Sequence, residues 1–248
     1  GYGSSYPGWL MVPILVGQTI YFDANDGYSG VELWAHDTFN HSTWQVADIY
    51  SGGSSSPGYN MEVLVGNTIY FDAEDENSGK ELWAHDTSNH STWQVTDIRN
   101  GSGGSYPGQY MGILVGDTIY FDADDNDDFD DRELWAHDTS NLSTWQVADI
   151  RMGTYFGSSG PGYHMEILVG DTIYFDAYDV YTGRELWAHD ASNHSTWQVT
   201  DIRNGSGSSN PGRYMLILVG DTIYFDAYDG KDGFELWAMK IEHSITYN

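Results

Sequence analysis

Five copies of one unit of about 50 residues fill the chain, and no other feature limits its fold as strongly. The string Thr-Ile-Tyr-Phe-Asp-Ala begins at Thr19, Thr68, Thr118, Thr172 and Thr222. A Leu-Trp-Ala string follows each time, with its tryptophan at Trp34, Trp83, Trp135, Trp187 and Trp237. A second aromatic stands ten residues later, at Trp44, Trp93, Trp145, Trp197 and Tyr247. Copies are spaced by 49 to 54 residues, giving units of approximately 1–50, 51–99, 100–151, 152–203 and 204–248 with no second domain left over.

Each unit holds four short apolar runs. In the third unit they are Met111 to Val115, Thr118 to Ala123, Glu133 to His137 and Thr144 to Ile150. Runs this short, rich in Val, Ile, Tyr, Phe, Trp and Thr, are strand chemistry. Both faces are apolar, with Ile119 and Phe121 pointing one way and Tyr120 the other, as in a sheet covered on both sides. Gly116-Asp117 is a two-residue hairpin signal. An acidic loop joins the second run to the third, and Asp138 to Ser143 joins the third to the fourth. The longest connection is the Gly/Ser/Pro link between units, such as Arg99 to Gln109, where an outer strand must return to the innermost strand of the next blade. The pattern predicts an all-β, five-bladed β-propeller with four antiparallel strands per blade. A solenoid would need atypical capping repeats, and these end units are ordinary. Gly1 to Gly8 match Gly101 to Gly108, and the fifth unit stops at Tyr247-Asn248. Closure is therefore expected to rest on side-chain packing between the first and fifth blades, without strand exchange.

The chain has no cysteine, which excludes disulfides and thiolate metal sites. No apolar run approaches the ~18 residues of a membrane span, so membrane insertion is not expected. A start at Gly1, without Met or a leader, reads as a processed fragment of a larger protein. Net charge is −28, from 37 acidic against 9 basic residues. Such a field repels phosphate backbones and anionic lipid, which excludes nucleic acid as a partner, and it suits cations or a saline setting. With 40% hydrophobic and 15% aromatic residues there is ample surface to bury, which argues against disorder.

The run Asp26-Gly27-Tyr28-Ser29-Gly30-Val31-Glu32-Leu33-Trp34-Ala35-His36-Asp37, with Val46-Ala47-Asp48-Ile49 after it, resembles the ELWxxDGT repeat family, and the likeness extends over nearly all of the five units. The resemblance implies propeller blades of large secreted or surface proteins of marine microbes, hence an extracellular or cell-surface location, and supplies no catalytic residues. The sequence departs from the family pattern where Asp86 to Asn89 replace the Asp-Gly-Thr turn, and the fifth unit reads Met239-Lys240 instead.

The acidic loops are the most suggestive candidates for chemistry. They run from Asp23, Asp72, Asp122, Asp176 and Asp226, and each carries an Asp three residues on, at Asp26, Asp75, Asp125, Asp179 and Asp229. Clustered carboxylates are hard-oxygen ligands, and Ca²⁺ is the cofactor they would take. The third loop, with Asp122, Asp124, Asp125, Asp127 and Asp128, is the best candidate. Asp bonding its own backbone in turns is the competing reading, and Gly30, Gly79, Gly183 and Gly233 look like turn chemistry. The pairs His36/His41, His85/His90 and His189/His194 flank turns and read as solvated hairpin histidines, since zinc would want further ligands. Trp34 and Trp44 lie within strands and read as blade packing.

Ligand-binding aromatics are expected instead in the links, at Tyr59, Tyr106, Tyr110, Tyr163 and Tyr214, together with Tyr6, Trp9 and Tyr155. Links and acidic loops should emerge on one face. Asn40, Asn89, Asn141, Asn193, Asn100 and Asn204 stand in Asn-x-Ser sequons that also suit turns. No phosphate loop, nucleophile elbow or zincin signature occurs. The expectation is a non-enzymatic, monomeric, extracellular scaffold for binding or adhesion, with carbohydrate or a surface protein as partner and Ca²⁺ as support. A lectin with up to five equivalent sites is the alternative. A glycan-processing enzyme would have to use the divergent third unit.

Overall fold

A computed structural model describes residues 3–125, 131–151 and 157–241 of the chain. These residues form nineteen strands and no helix. The chain divides into two compact units, Gly1–Gln146 and Val147–Asn248. The first holds three antiparallel sheets: β1 (Ile14–Val16), β2 (Thr19–Asn25), β3 (Val31–Asp37) and β4 (Thr43–Ala47); then β5 (Glu62–Val65), β6 (Thr68–Asp75), β7 (Gly79–Asp86) and β8 (Ser91–Gln94); then β9 (Gly112–Val115), β10 (Thr118–Asp124), β11 (Arg132–Asp138) and β12 (Ser143–Ala148), whose last two residues pass the unit boundary. The second unit holds β13 (Glu166–Val169), β14 (Thr172–Asp179), β15 (Gly183–Asp190) and β16 (Ser195–Gln198), followed by β17 (Leu216–Val219), β18 (Thr222–Tyr228) and β19 (Phe234–Lys240). Strands are paired in sequence order within every sheet, so each repeat is one meander. The fifth sheet has three strands among the described residues.

The doubly apolar strands are buried on both faces, as their sequence requires. Ile119, Tyr120 and Phe121 are all within 1% of full burial. Between sheets the packing follows one rule. The Tyr/Leu/Ala face of one repeat meets the Ile/Phe/Ala face of the next: Tyr21, Leu33 and Ala35 against Ile69, Phe71 and Ala73; Tyr70, Leu82 and Ala84 against Ile119, Phe121 and Ala123; and, in the second unit, Tyr174, Leu186 and Ala188 against Ile223, Phe225 and Ala227. Trp44 packs at the margin of the first cluster, as its reading has it, and Trp83, Trp93 and Trp135 do the same; Trp34 belongs to none of these clusters. The fifth sheet leaves its own Tyr/Leu/Ala face open, and Leu236 there is 65% exposed.

Each hairpin is built by its turn residues. Gly17, Gly66, Gly116, Gly170 and Gly220 take positive φ at the first central position of the two-residue turn, as a II′ hairpin demands. In the turn between third and fourth strands, Asp138 Oδ1 accepts the Ser140 amide at 2.8 Å and Oδ2 accepts Asn141 Nδ2 at 2.7 Å. That turn closes through a residue in the left-handed region: His41, His90, Leu142 and His194, with φ near 60°. Leucine is poorly suited to this conformation and Leu142 is exposed, so no packing compensates it. Leu142→Asn is expected to raise stability by about 0.5–1 kcal/mol, measured by denaturant unfolding. An unchanged midpoint would mean that the turn tolerates leucine without strain.

Candidate functional site

The face formed by the inter-sheet links is held in place by one device repeated in every sheet. The Asp in the middle of the second strand, at an otherwise apolar position, is buried: Asp23, Asp72, Asp122, Asp176 and Asp226. Its Oδ1 accepts two consecutive link amides, those of Leu10 and Met11, Asn60 and Met61, Tyr110 and Met111, His164 and Met165, or Tyr214 and Met215, at 2.8–3.1 Å. In three sheets Oδ2 accepts a cation from the third strand: Lys80 Nζ at 3.1 Å, Arg132 Nη1 at 2.8 Å and Arg184 Nη1 at 2.7 Å. Each cation also lies under a link tyrosine, Lys80 under Tyr59, Arg132 under Tyr110 and Arg184 under Tyr163, at 5.1–5.4 Å from the ring centre. Burial leaves the Asp72 and Asp122 carboxyls raised, an effect that the adjacent cation and the link amides offset only in part. The first and fifth sheets have Val31 and Phe234 at the cation's position, and Asp226 Oδ2 is buried with no hydrogen-bond partner among the described residues.

Above this frame, between the links of the second and third sheets, lies an open pocket of about 570 Å³. Tyr59, Tyr106, Tyr110, Asn60 and Gln109 line it, with Ser56 and the Lys80 stem. Three of the five tyrosines singled out from the sequence therefore converge on one pocket. Tyr59 is 62% exposed, which leaves a ring face open to a ligand while Lys80 holds the ring. Tyr106 takes φ of 49°, and Arg132 Nη1 donates to its carbonyl at 2.8 Å. The side-chain amides of Asn60 and Gln109 make no hydrogen bond within the described residues. Tyr163 and Tyr214 belong to the second unit; Tyr163 packs edge-on to His164 and Tyr214 to Phe234. Tyr155 lies outside the described residues.

Links and acidic loops do share a face within each unit. Val31 N donates to Ser54 Oγ at 2.9 Å, and Glu74 N to Ser55 O at 2.8 Å. Gly30 and Gly79 sit at the crossing. Both have positive φ, and a Cβ would fall 1.9 Å from Gly53 O or 2.6 Å from Gly104 N, so no other residue fits.

The loop carboxylates themselves are mostly committed to the fold. Asp122, expected as a loop ligand, is instead the link anchor described above, with Oδ1 held by two link amides and Oδ2 by Arg132. Asp124 is buried, accepting the Asp131 amide and pairing with Arg99 at 3.5 Å. Asp26 Oδ1 accepts the Tyr28 and Ser29 amides, both at 2.8 Å, and Asp75 Oδ1 those of Asn77 and Ser78. Asp179 accepts the Thr182 hydroxyl and Asp229 the Lys231 amide. Backbone hydrogen bonds from Ser29 and Tyr28 hold the Asp26 carboxyl below its usual range, as a turn carboxylate should be. Asp125 is exposed, and Asp127 and Asp128 lie outside the described residues. Among the described residues no three His, Cys, Asp or Glu side chains are grouped to hold a metal ion.

The histidine pairs split in two, which corrects the expectation that both members are solvated. In the second and fourth sheets His90 and His194 are exposed while His85 and His189 are buried; in the first, His41 is exposed and His36 half-buried; His137, opposite Leu142, is buried. Each buried histidine bonds a threonine across the hairpin, as in His85 Nδ1 to Thr92 Oγ1 at 2.8 Å, and in the first unit His85 packs on Tyr21 and His137 on Tyr70 of the preceding sheet, at 5.4 and 5.5 Å. Burial lowers His85 and His189 from 6.5 to about 4. The unfolded chain then binds more protons between pH 4 and 6.5, so stability falls as pH drops through that window. Glu62 on β5 behaves oppositely. Burial, with the neighbouring Asp72 charge, raises it from 4.5 to about 7. Its folded form holds a proton that the unfolded form has lost, so stability falls as pH rises from 4.5 to 7. Glu62→Gln is expected to raise the melting temperature at pH 8 and leave it unchanged at pH 4. Equal shifts at both pH values would rule out the titration as the cause.

No family model and no curated protein matches this chain. It is similar to solved structures of a puromycin hydrolase, with TM-scores of 0.52 and 0.51 at 11% and 12% identity, covering 87% of this chain and 32% of those. A puromycin-hydrolyzing peptidase of Mycobacterium tuberculosis gives a TM-score of 0.50 at 10% identity, covering 91% of this chain and 34% of that one. A prolyl endopeptidase structure gives 0.51 at 8% identity, covering 92% and 34%. This chain thus spans about a third of the length of the structures it matches. At these identities the likeness carries the fold alone, which is propeller-like.

Proposed function

We propose that the chain is a non-enzymatic binding module of the cell exterior, of the ELWxxDGT-repeat type, that presents its link face to a ligand. The observation that carries this reading is the pocket between the second and third links. It offers tyrosine faces fixed from below by cations, and side-chain amides with no partner among the described residues. Concave sites of aromatic walls with a few directed polar groups are the usual form of ligand sites. Glycan hydrolysis, by contrast, needs two carboxylates in unlike environments. The described loop carboxylates Asp26, Asp75, Asp179 and Asp229 all serve like turns.

Arrays of defined glycans and of purified surface proteins, probed with the labelled chain, test the reading. Binding should be lost on Tyr59→Ala or Tyr106→Ala and kept on His41→Ala at the opposite end of the sheets. Silence on both arrays counts against it. Hydrolytic turnover that disappears on replacing Asp125 would put the enzymatic reading in its place.

The same proposal includes five blades in a closed ring. Its support is the packing rule: each Tyr/Leu/Ala face seeks an Ile/Phe/Ala face, and in a closed ring the face carrying Leu236 is covered. Leu236→Ala should then cost about 2 kcal/mol, with the protein monomeric in sedimentation. A variant as stable as the parent rules out the closed ring, and a parent dimer that Leu236→Ala dissociates would assign the face to a second copy.

A further inference from the structure

The five repeats serve as their own comparison, because they share strands and differ at the pocket. The strand string Thr-Ile-Tyr-Phe-Asp-Ala is unchanged in all five copies. At the link position of Tyr59 the five residues are Trp9, Tyr59, Gln109, Tyr163 and Arg213. At that of Asn60 they are Leu10, Asn60, Tyr110, His164 and Tyr214. At that of Tyr106 they are Tyr6, Ser56, Tyr106, Gly160 and Asn210. The residues that line the pocket therefore differ from copy to copy while the strand beneath them does not. The junction of the first and second sheets has Tyr6 and Trp9 packed on each other at 5.4 Å. In the fifth sheet Arg213 stands where the second has Tyr59, and its guanidinium lies 5.4 Å from the Tyr214 ring and 5.9 Å from that of Phe234, so a cation replaces an aromatic wall there. Five equivalent sites cannot arise from five unlike linings.

Resting on the binding-module reading above, we propose that the junction of the second and third sheets is a single saccharide site, selective for an uncharged pyranoside. Tyr59, Tyr106 and Tyr110 offer ring faces to the C–H face of the sugar. The amides of Asn60 and Gln109 each bring donors and an acceptor, the mixed capacity that vicinal hydroxyls require. The Lys80 charge at the pocket floor is neutralised by Asp72 at 3.1 Å, so the lining offers no free charge to an ionic ligand. The net charge of −28 repels uronic and sulfated sugars. Directed hydrogen bonds combined with aromatic walls favour a small polar ligand over an extended apolar one.

The test is calorimetric titration with the methyl glycosides and short neutral oligosaccharides that bind best on an array, beside sulfated and uronic counterparts. One ligand should bind per chain. Tyr106→Ala and Gln109→Ala should each weaken binding at least tenfold without moving the melting temperature, while Trp9→Ala and Tyr214→Ala leave affinity unchanged. A stoichiometry near five, or equal losses from Trp9→Ala, would overturn the single site. Preference for acidic sugars would overturn the uncharged class. If no sugar binds but a surface protein does so through Tyr59 and Tyr106, the binding module stands and the saccharide site falls.

Discussion

Replacing Arg132 with leucine should cost about 3–5 kcal/mol of folding stability. Arg132 is 4% exposed and Asp122 fully buried, and the two meet at 2.8 Å. Removing the cation leaves an ionised carboxylate in a low dielectric, where its desolvation is no longer offset. The carboxylate cannot withdraw, because Oδ1 is fixed by the Tyr110 and Met111 amides, both at 2.9 Å. The double variant Arg132→Leu with Asp122→Asn should recover most of the loss, since an amide oxygen still caps the link while the charge is gone. Urea unfolding of the four proteins gives the cycle directly. A single-variant loss under about 1 kcal/mol, or no recovery in the double, would show that the pair is not what stabilises the link. The fifth sheet offers the converse. Asp226 Oδ2 is buried without a partner among the described residues beside Phe234, so Phe234→Arg should stabilise rather than disturb. Arg132 also holds the Tyr106 carbonyl and lies under Tyr110, so its loss should loosen the pocket along with the fold.

The repeat and its strands were legible because their signals are local. β10 spans Thr118–Asp124 where the run Thr118 to Ala123 was expected, and β11 and β12 fall within one or two residues of their runs. The doubly apolar strand implied cover on both sides, and Ile119 and Tyr120 have it. What sequence reasoning missed are two acids inside strands. The sequence alone puts Asp122 with the loop, because it follows Phe121 and begins an acidic string. Its role depends on the Met111 and Tyr110 amides, which lie 11 and 12 residues away and belong to no local pattern. A signal was nevertheless present: one Asp at the same place in five otherwise apolar strands. A polar residue kept in a buried strand must have a partner, whether or not the sequence shows which. The histidines misled for a related reason. A turn-flanking position suggested solvent, but His85 stands one residue inside β7, where the tyrosine of the preceding sheet covers it.

The second missed acid sets the other large expectation. Glu81, in the Glu-Leu-Trp-Ala string, is fully buried and accepts four hydrogen bonds: from Thr96 Oγ1 at 2.8 Å and from the amides of Ile98, Arg99 and Ser105 at 3.2, 3.4 and 3.2 Å. These donors come from the exit of the fourth strand and from the link to the next sheet, so one carboxylate clasps two segments that have no ladder of their own. Glu32 repeats the clasp on Ile49 and Ser55, and Glu185 on Thr200, Ile202 and Arg203. Burial raises the Glu81 carboxyl overall, and the four donors offset this only in part. Glu81→Ala should therefore cost about 3 kcal/mol, since several donors lose their acceptor in a buried place, each at about 1–3 kcal/mol less what water recovers. Glu81→Gln keeps one acceptor oxygen and should cost about 1 kcal/mol, which separates acceptor geometry from charge. Amide exchange adds a spatial check: protection at Ile98, Arg99 and Ser105 should fall in Glu81→Ala while that of the β6–β7 ladder is retained up to global unfolding. Equal loss of protection throughout the sheet would mean that Glu81 supports the sheet itself and that the clasp on the link is incidental.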